Sequence, residues 1–334
     1  MSPTSPLTLV VDEAVLPSAA ADRIRSLANI ELIDRMSPAA LERADVVFTR
    51  MGTFDPADAP RLQWVQTESA SIAHLTETKL AASGLPVANA RGALSPNVAE
   101  LAIGLLLALT RRLTGCHRLQ AEGVWPEVAV HQALYGDACY GRTLGVLGYG
   151  SIGRQVARIA SGLGMSILAC TRSGQRTQCG GFHLPNTGDM AGELPVGWFG
   201  PAQLEEMLPG CDAVVMSLPL TAATRHLIGG EQLGWLPRHA FLVDVGRGGV
   251  LDLDALHTAL LESRLAGAAL DVYEQEPLPS AHPLWRAPNL IMSPHIGAGT
   301  KNRNDFVAEV LIENLSRCVS NRPLLNLVDF RRGY

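Results

Sequence analysis

Three side chains in the C-terminal half have types that suit carboxylate and carbonyl chemistry, and each follows an apolar run. Arg247 stands in Val243-Asp-Val-Gly-Arg247-Gly-Gly, where the flanking glycines allow a tight turn and the planar guanidinium can face a carboxylate. On this segment alone, a surface arginine in a glycine loop explains it equally well. Glu276 closes Leu270-Asp-Val-Tyr-Glu-Gln-Glu276-Pro277, an acidic run that is either a solvated loop or the source of a carboxylate for an imidazole. The imidazole best placed for that is His295, in Met292-Ser-Pro294-His295-Ile-Gly297. Pro294 and Gly297 restrain its backbone, and a histidine can donate a proton near neutral pH. His117, His131 and His257 fall on helix faces or in polar loops, where a solvated role is the default.

A second constellation lies upstream in Thr143-Leu-Gly-Val-Leu-Gly148-Tyr-Gly150-Ser-Ile-Gly153. Gly148 permits a tight turn and Gly150 lets a pyrophosphate approach the backbone. Gly153 lets a helix pack on the preceding strand, and Ser151 and Ile152 open that helix with free N–H groups. Glycine turns also arise for structural reasons alone. Here an apolar strand before and a periodic helix over Arg154–Gly162 after favour a dinucleotide site.

The elements that must position these groups alternate between strand-like and helix-like periods. Strands are expected at Leu7–Val11, Asp45–Thr49, Leu62–Thr67 and Val87–Ala88, with helices at Ala19–Leu27, Pro38–Arg43 and His74–Ser83. A long helix is expected over Pro96–Arg118, capped by Asn97, with Glu100 at its third position. It is apolar almost all round, so it should be buried between domains or against another subunit. Beyond the glycine turn, strands are expected at Ser166–Thr171, Ala213–Ser217, Ala240–Val245, Ala268–Asp271 and Asn289–Met292, a parallel sheet of about six with the strand before the turn. Ser173–Pro201 has no clear period and reads as a long surface insertion before a helix at Ala202–Leu208. A final helix, Asn302–Ser320, should pack back on the first domain. The fold class is α/β, with two Rossmann-like domains (one flavodoxin-like, one dinucleotide-binding), parallel sheets and a cleft between them. The expected division is 1–100 plus 299–334 for one domain and 101–298 for the other, which carries the glycine turn; the resemblance given below makes the first the substrate domain and the second the NAD(P) domain.

Composition narrows the alternatives. With 47% hydrophobic and 18% charged residues over 334 positions there is material for two cores. A net charge of −5 and the lack of a basic stripe argue against nucleic acid or a membrane surface, the cluster Arg111, Arg112, Arg118 reading as a solvated helix end. Six cysteines without CxxC spacing fit buried thiols in the cytoplasm. Met1-Ser-Pro-Thr-Ser-Pro lacks a signal-peptide n-region, and the apolar run Ala102–Leu109 is too short to span a bilayer.

Taken in order, Leu62-Gln-Trp-Val-Gln, Asn97-Val-Ala-Glu100, Gly141-Arg-Thr-Leu-Gly, the GxGxxG, Ser217-Leu-Pro-Leu-Thr221, Gly246-Arg247-Gly248, the run to Glu276-Pro277 and Pro294-His-Ile-Gly297 resemble the D-isomer-specific 2-hydroxyacid dehydrogenases over nearly the whole chain. The resemblance implies a catalytic set of Arg247, Glu276 and His295, with Asp271 beside the nicotinamide and Leu218 and Pro219 at the cofactor. Arg247 would grip the carboxylate of a 2-keto acid while hydride goes to C2. His295 would protonate the oxygen, and Glu276 would orient the imidazole. No metal is called for, because two cationic side chains face the developing alkoxide. It also implies a loop, Ser69, Ala70 and Ser71, that offers N–H groups to the substrate carboxylate. The family pattern has Gly at Ser71, Asp at Ala73 and more often Asn at Asp244. Arg50 reads as a solvent-exposed arginine that could reach a second anionic group.

NAD enzymes place a carboxylate at the end of the second strand for the ribose 2′-OH. Here that position is Thr171, followed by Arg172 and Ser173, which suit a 2′-phosphate. NADP(H) is therefore expected over NAD(H), with NAD(H) possible. A small 2-keto or 2-hydroxy acid of the glyoxylate or hydroxypyruvate kind is the expected substrate, and a homodimer the expected assembly. The other readings are a larger 2-hydroxy acid as substrate, a dinucleotide-sensing module of the corepressor kind, and a different NAD(P) enzyme on two Rossmann-like domains.

Overall fold

The structure, a computed structural model, describes residues 6–12, 15–27 and 29–331; the first five residues, read above for a signal peptide, lie outside them. The chain divides into two compact units, Met1–Ser95, Gly180–Pro185 and Thr300–Tyr334 forming the first, and Pro96–Cys179 and Asn186–Gly299 the second.

The first unit is built on five parallel strands, β1 Leu7–Asp12, β2 Ile30–Ile33, β3 Val46–Thr49, β4 Trp64–Thr67 and β5 Val87–Ala88, in the order β2-β1-β3-β4-β5. Runs such as Val46-Val-Phe-Thr are buried along their whole length, as strands covered on both faces must be. Strand β2 escapes the sequence reading because Ile30-Glu-Leu-Ile33 is a half-buried edge strand interrupted by a charge. The span His74–Ser83 forms two short pieces, a 3-10 turn at Ala73–Leu75 and a helical turn at Lys79–Ala82. The final helix, Arg303–Val319, packs on helix Ser18–Ser26.

The second unit carries seven parallel strands, β6 Thr143–Leu147, β7 Ser166–Cys170, β8 Pro195–Phe199, β9 Ala213–Met216, β10 Phe241–Asp244, β11 Gly267–Leu270 and β12 Leu290–Met292, in the order β12-β11-β10-β9-β6-β7-β8. The seventh, β8, lies inside the stretch read as an insertion. Its proline and glycine hide the period, and both are tolerated at the outer strand of a sheet, where a register shift marks its pairing with β7.

The helix expected over Pro96–Arg118 is two helices, Ser95–Thr110 and Leu113–Glu122, with Arg112 in the left-handed region between them. The break has a specific cause in the hydrogen bonds of Thr110. The Thr110 carbonyl, which would accept the next helical bond, is taken by the Asp137 N–H at 2.9 Å, and the Thr110 hydroxyl turns back to the Leu107 carbonyl. The first helix starts two residues before the expected cap, and Asn97 is buried within it. Its apolar face packs into the core of the second unit with Leu144, Val146 and Val156.

The register of the sheet is what positions a site. Cys170, Leu147, Met216, Asp244, Leu270 and Met292 are partners across successive strands. The segments that follow these residues, carrying Thr171, Gly148, Leu218, Arg247, Asp271 and His295, therefore leave the sheet at one level along its C-terminal edge. Between β6 and β9 the strand order reverses direction, which is where open α/β sheets bind ligands.

Candidate active site

The glycines after β6 have separate physical duties. Gly148 has φ 95°, a conformation closed to most side chains, and its N–H donates to the Cys170 carbonyl at 3.0 Å. The Ser217 hydroxyl donates to the Gly148 carbonyl at 2.8 Å, fixing the turn from the neighbouring strand. A Cβ on Gly153 would lie 2.1 Å from the Gly148 carbonyl oxygen, so only glycine lets helix Ser151–Gly162 start so close to the strand. A Cβ on Gly150 would meet nothing within 4 Å. The space there faces the N-terminus of a twelve-residue helix, as a pyrophosphate requires. The residues present fit a dinucleotide. At the end of β7, Thr171 is half-buried and Arg172 and Ser173 are exposed, with no carboxylate among the three. Leu218 lies against Gly148 on one side and Gly246 on the other, and the Pro219 carbonyl accepts from the Thr224 hydroxyl at 2.7 Å.

After β10 the chain turns through Gly246-Arg247-Gly248. A Cβ on Gly246 would lie 2.7 Å from the Leu218 carbonyl oxygen, and one on Gly248 only 1.8 Å from that of Tyr273. Both glycines are thus set by close approach of neighbouring segments, and the Arg247 turn rests on the backbone that leads to Glu276. Arg247 is half-buried and its Nη1 donates to the Gly246 carbonyl at 2.7 Å. Burial lowers its pKa, while the charges of Glu276 and Asp244 pull it back up. Asp244 is 2% exposed and accepts from the Gly246 N–H at 2.9 Å. Burial raises its pKa to about 7 against the opposing Gly246 hydrogen bond and Arg247 charge. Where the family pattern more often has Asn, burial thus shifts this carboxyl toward its neutral form.

His295 and Glu276 meet. Glu276 Oε2 and His295 Nδ1 are 2.7 Å apart, and Glu276 Oε1 accepts from the Tyr273 N–H at 2.9 Å, so each carboxylate oxygen has one fixed partner. His295 itself has φ 53°, a conformation that histidine tolerates better than most residues but that needs support. The support is Asp271. Its Oδ1 accepts from the Ile296 N–H at 2.9 Å and the Ser293 hydroxyl at 2.7 Å, and its Oδ2 accepts from the Gly297 N–H at 2.8 Å. Both oxygens of the residue expected beside the nicotinamide thus hold the His295 turn. The hydroxyl of Tyr273 donates to the Ser293 carbonyl at 2.9 Å and ties the same turn to β11. Ser293 and Tyr273 were not singled out from the sequence. The available signal was a hydroxyl directly after a strand, where only the neighbouring strand end can pair with it.

The loop Ser69–Ser71 lies in the first unit, after β4. The Ser69 hydroxyl accepts from the Ser71 N–H at 3.1 Å, and the Ser71 hydroxyl from the Ala73 N–H at 3.4 Å. Asn89 Nδ2 donates to the Ala70 carbonyl at 3.1 Å. The serine that replaces the family glycine thus shapes the turn through its own side chain. Arg50 is exposed, with its Nε 3.7 Å from the buried Glu68.

The chain matches the model of the D-isomer-specific 2-hydroxyacid dehydrogenase NAD-binding domain over residues 103–297. It is 37% identical to the glyoxylate reductase of Korarchaeum cryptofilum over 268 residues, 78% of this chain and 76% of that one. Among solved structures it is similar to a D-isomer-specific 2-hydroxyacid dehydrogenase family protein from Aeromonas salmonicida, with TM-score 0.76 and 29% identity over 98% of this chain and 100% of that one. It is also similar to a D-isomer-specific 2-hydroxyacid dehydrogenase from Xanthobacter autotrophicus in complex with NADPH and MES, with TM-score 0.74 and 28% identity over 99% and 100% of the two chains. With the glycine cradle and the Arg, Glu and His segments at one sheet edge, these likenesses identify an NAD(P)-dependent oxidoreductase, and the chain belongs to the D-isomer-specific 2-hydroxyacid dehydrogenase family.

Proposed function

We propose that this protein reduces a short 2-keto acid of the glyoxylate or hydroxypyruvate kind to the D-2-hydroxy acid, with NADPH as preferred cofactor and NADH as the weaker one. The observation that carries the reading is the 2.7 Å His295–Glu276 pair beside the Arg247 turn. When bound, the nicotinamide supplies the hydride for C2. Arg247 pairs with the substrate carboxylate and draws charge from the carbonyl. His295 Nε2, free to face substrate because Nδ1 is engaged by Glu276, gives its proton to the oxygen that becomes the hydroxyl. Glu276 stabilises the charged imidazole before transfer and keeps the ring oriented after it. Asp271 acts on the reaction by holding the His295 turn. The Ser69–Ser71 loop is the first unit's candidate for a substrate carboxylate.

For the cofactor, Thr171, Arg172 and Ser173 offer hydroxyls and a positive charge, and no carboxylate to repel a 2′-phosphate. The Xanthobacter relative, solved with NADPH, supports the same preference. The assembly we infer is a homodimer through residues 113–140. Helices Leu113–Glu122 and Val128–Ala133 hold no buried residue, and Val124, Trp125, Val128 and Tyr135 expose apolar surface. Cys139, Cys170 and Cys211 are buried free thiols and Cys116 is an exposed one, and the reducing cytoplasm is the compartment we infer. Among the described residues no helix is long and apolar enough to cross a membrane.

The test is oxidation of NADPH, then of NADH, against glyoxylate, hydroxypyruvate, pyruvate, phenylpyruvate and 2-ketogluconate, with chiral analysis of the product. Turnover of a short keto acid with higher kcat/KM for NADPH is expected. No turnover on the panel overturns the substrate reading, and a higher value with NADH overturns the cofactor reading. Trp125→Glu should shift the mass in light scattering from dimer to monomer.

A further inference from the structure

The helix after the glycine turn carries a charge that the phosphate cradle does not use. Arg154 is its fourth residue and is 1% exposed. A guanidinium withdrawn from water is costly unless its N–H groups are paired and a counter-charge is near, and here both terminal nitrogens are paired while Nε is not. Nη1 donates to the Asp189 carbonyl at 2.6 Å, and Nη2 donates to the carbonyl and hydroxyl of Thr177 at 2.5 and 2.9 Å. The guanidinium lies over the ring of Tyr149, 4.9 Å from its centroid. Tyr149 in turn donates its hydroxyl to Asp189 Oδ2 at 2.7 Å. Burial disfavours the Asp189 carboxylate, but the N–H groups of Glu193 and Leu194, the Tyr149 hydroxyl and the Arg154 charge together hold it below the usual range.

Two parts of the cofactor site meet in this cluster. Tyr149 is the residue between the glycines of the phosphate turn. Thr177 closes the loop that begins at Thr171, and within that loop the Thr171 hydroxyl donates to the Gln175 carbonyl at 3.3 Å while the Gln175 N–H donates to the Ser173 hydroxyl at 3.3 Å. Arg176 Nε, next to Thr177, donates to the Ala191 carbonyl at 2.9 Å. The geometry points to Arg154 as a positioning residue for cofactor selection, one that fixes the Thr171–Ser173 loop against the glycine-turn helix so that the loop meets the ribose in a set place. This rests on the reading that the same loop selects between NADPH and NADH. Affinity common to both cofactors comes from the glycine turn, whereas discrimination at one ribose oxygen depends on how well the loop is held.

The experiment is the ratio of NADPH to NADH dissociation constants, by fluorescence titration, in the full-length protein and in Arg154→Lys and Thr177→Val. Lysine keeps the charge but cannot span Asp189 and Thr177, and should move the ratio toward one by about tenfold, Thr177→Val by about two- to threefold. If Arg154→Lys does not fold, Thr177→Val carries the test, since it removes a single hydroxyl. A ratio unchanged from wild type overturns the role of Arg154, whatever happens to the melting temperature. The wild-type ratio tests the underlying reading by itself. A wild type that favours NADH, with that preference erased in the variants, upholds Arg154 and overturns the 2′-phosphate reading. A wild type with no preference overturns both.

Discussion

The glycine turn after β6 and the histidine turn after β12 leave the same sheet edge at the same level, yet they are built in opposite ways. The first is shaped by missing side chains: a positive φ at Gly148, a contact at Gly153 that admits no Cβ, and open space at Gly150. The second is shaped by side chains that reach in from elsewhere. Asp271 accepts three hydrogen bonds from residues 293–297, and Glu276 fixes the imidazole. A cradle defined by backbone holds a ligand whose phosphates need N–H groups. A turn defined by carboxylates holds one ring in one orientation, which is what proton transfer needs.

If this contrast holds, substitutions at the two turns should fail differently. The largest effect is expected at Gly153→Ala, whose Cβ would lie 2.1 Å from a carbonyl oxygen; cofactor binding and thermal stability should fall together. Gly150→Ala, with open space around it, should leave the melting temperature near wild type and weaken only the cofactor. Equal damage from both would break the division of duties. Next, Glu276→Gln should lower kcat by about 100-fold with cofactor affinity unchanged, because the imidazole loses its charged partner. Asp271→Asn removes an acceptor from the histidine turn while keeping its size. It should cost about 10-fold in kcat and about 1–2 kcal/mol in denaturant unfolding, and unchanged kcat would mean that the turn holds itself.

A further effect concerns pH. Asp244 titrates near 3.8 in the unfolded chain and near 7 when folded. Between those values the native state keeps a proton that the unfolded state has released, so stability falls as pH rises through that window and levels off above it. Asp244→Asn cannot titrate. Its stability relative to wild type should therefore grow from about pH 4 to pH 7, by an amount on the order of a few kcal/mol. Parallel stability curves for the two proteins would show that the carboxyl is already ionised.

The same contrast governs what the sequence disclosed. Gly148, Gly150 and Gly153 were legible because the positive φ at Gly148, the helix start at Gly150 and the Gly153–Gly148 contact all fall within one short segment. His295 and Glu276 stood out as residue types after strands, and their pairing, which joins segments that follow different strands, was expected through the family resemblance. Asp271 could be found but not its duty, since Ser293, Ile296 and Gly297 reach it only after β11 and β12 pair. Strands β2 and β8 were missed because edge strands tolerate Glu31, Pro195 and Gly197, which blur the period. The break at Arg112 depends on Asp137 arriving from 25 residues further on to take the Thr110 carbonyl. Arg154 did not stand out, because its partners, Thr177 and Asp189, lie in a stretch with no period of its own.

The most direct measurement is made on His295→Asn, since asparagine accepts the left-handed backbone of that position and removes only the proton donor. Turnover of the best keto acid and the NADPH dissociation constant are measured on one preparation. The expected result is a fall in kcat of about 1,000-fold with the dissociation constant within about twofold of wild type. Retained turnover, or a parallel loss of turnover and cofactor binding, would contradict the assignment of proton transfer to the histidine turn.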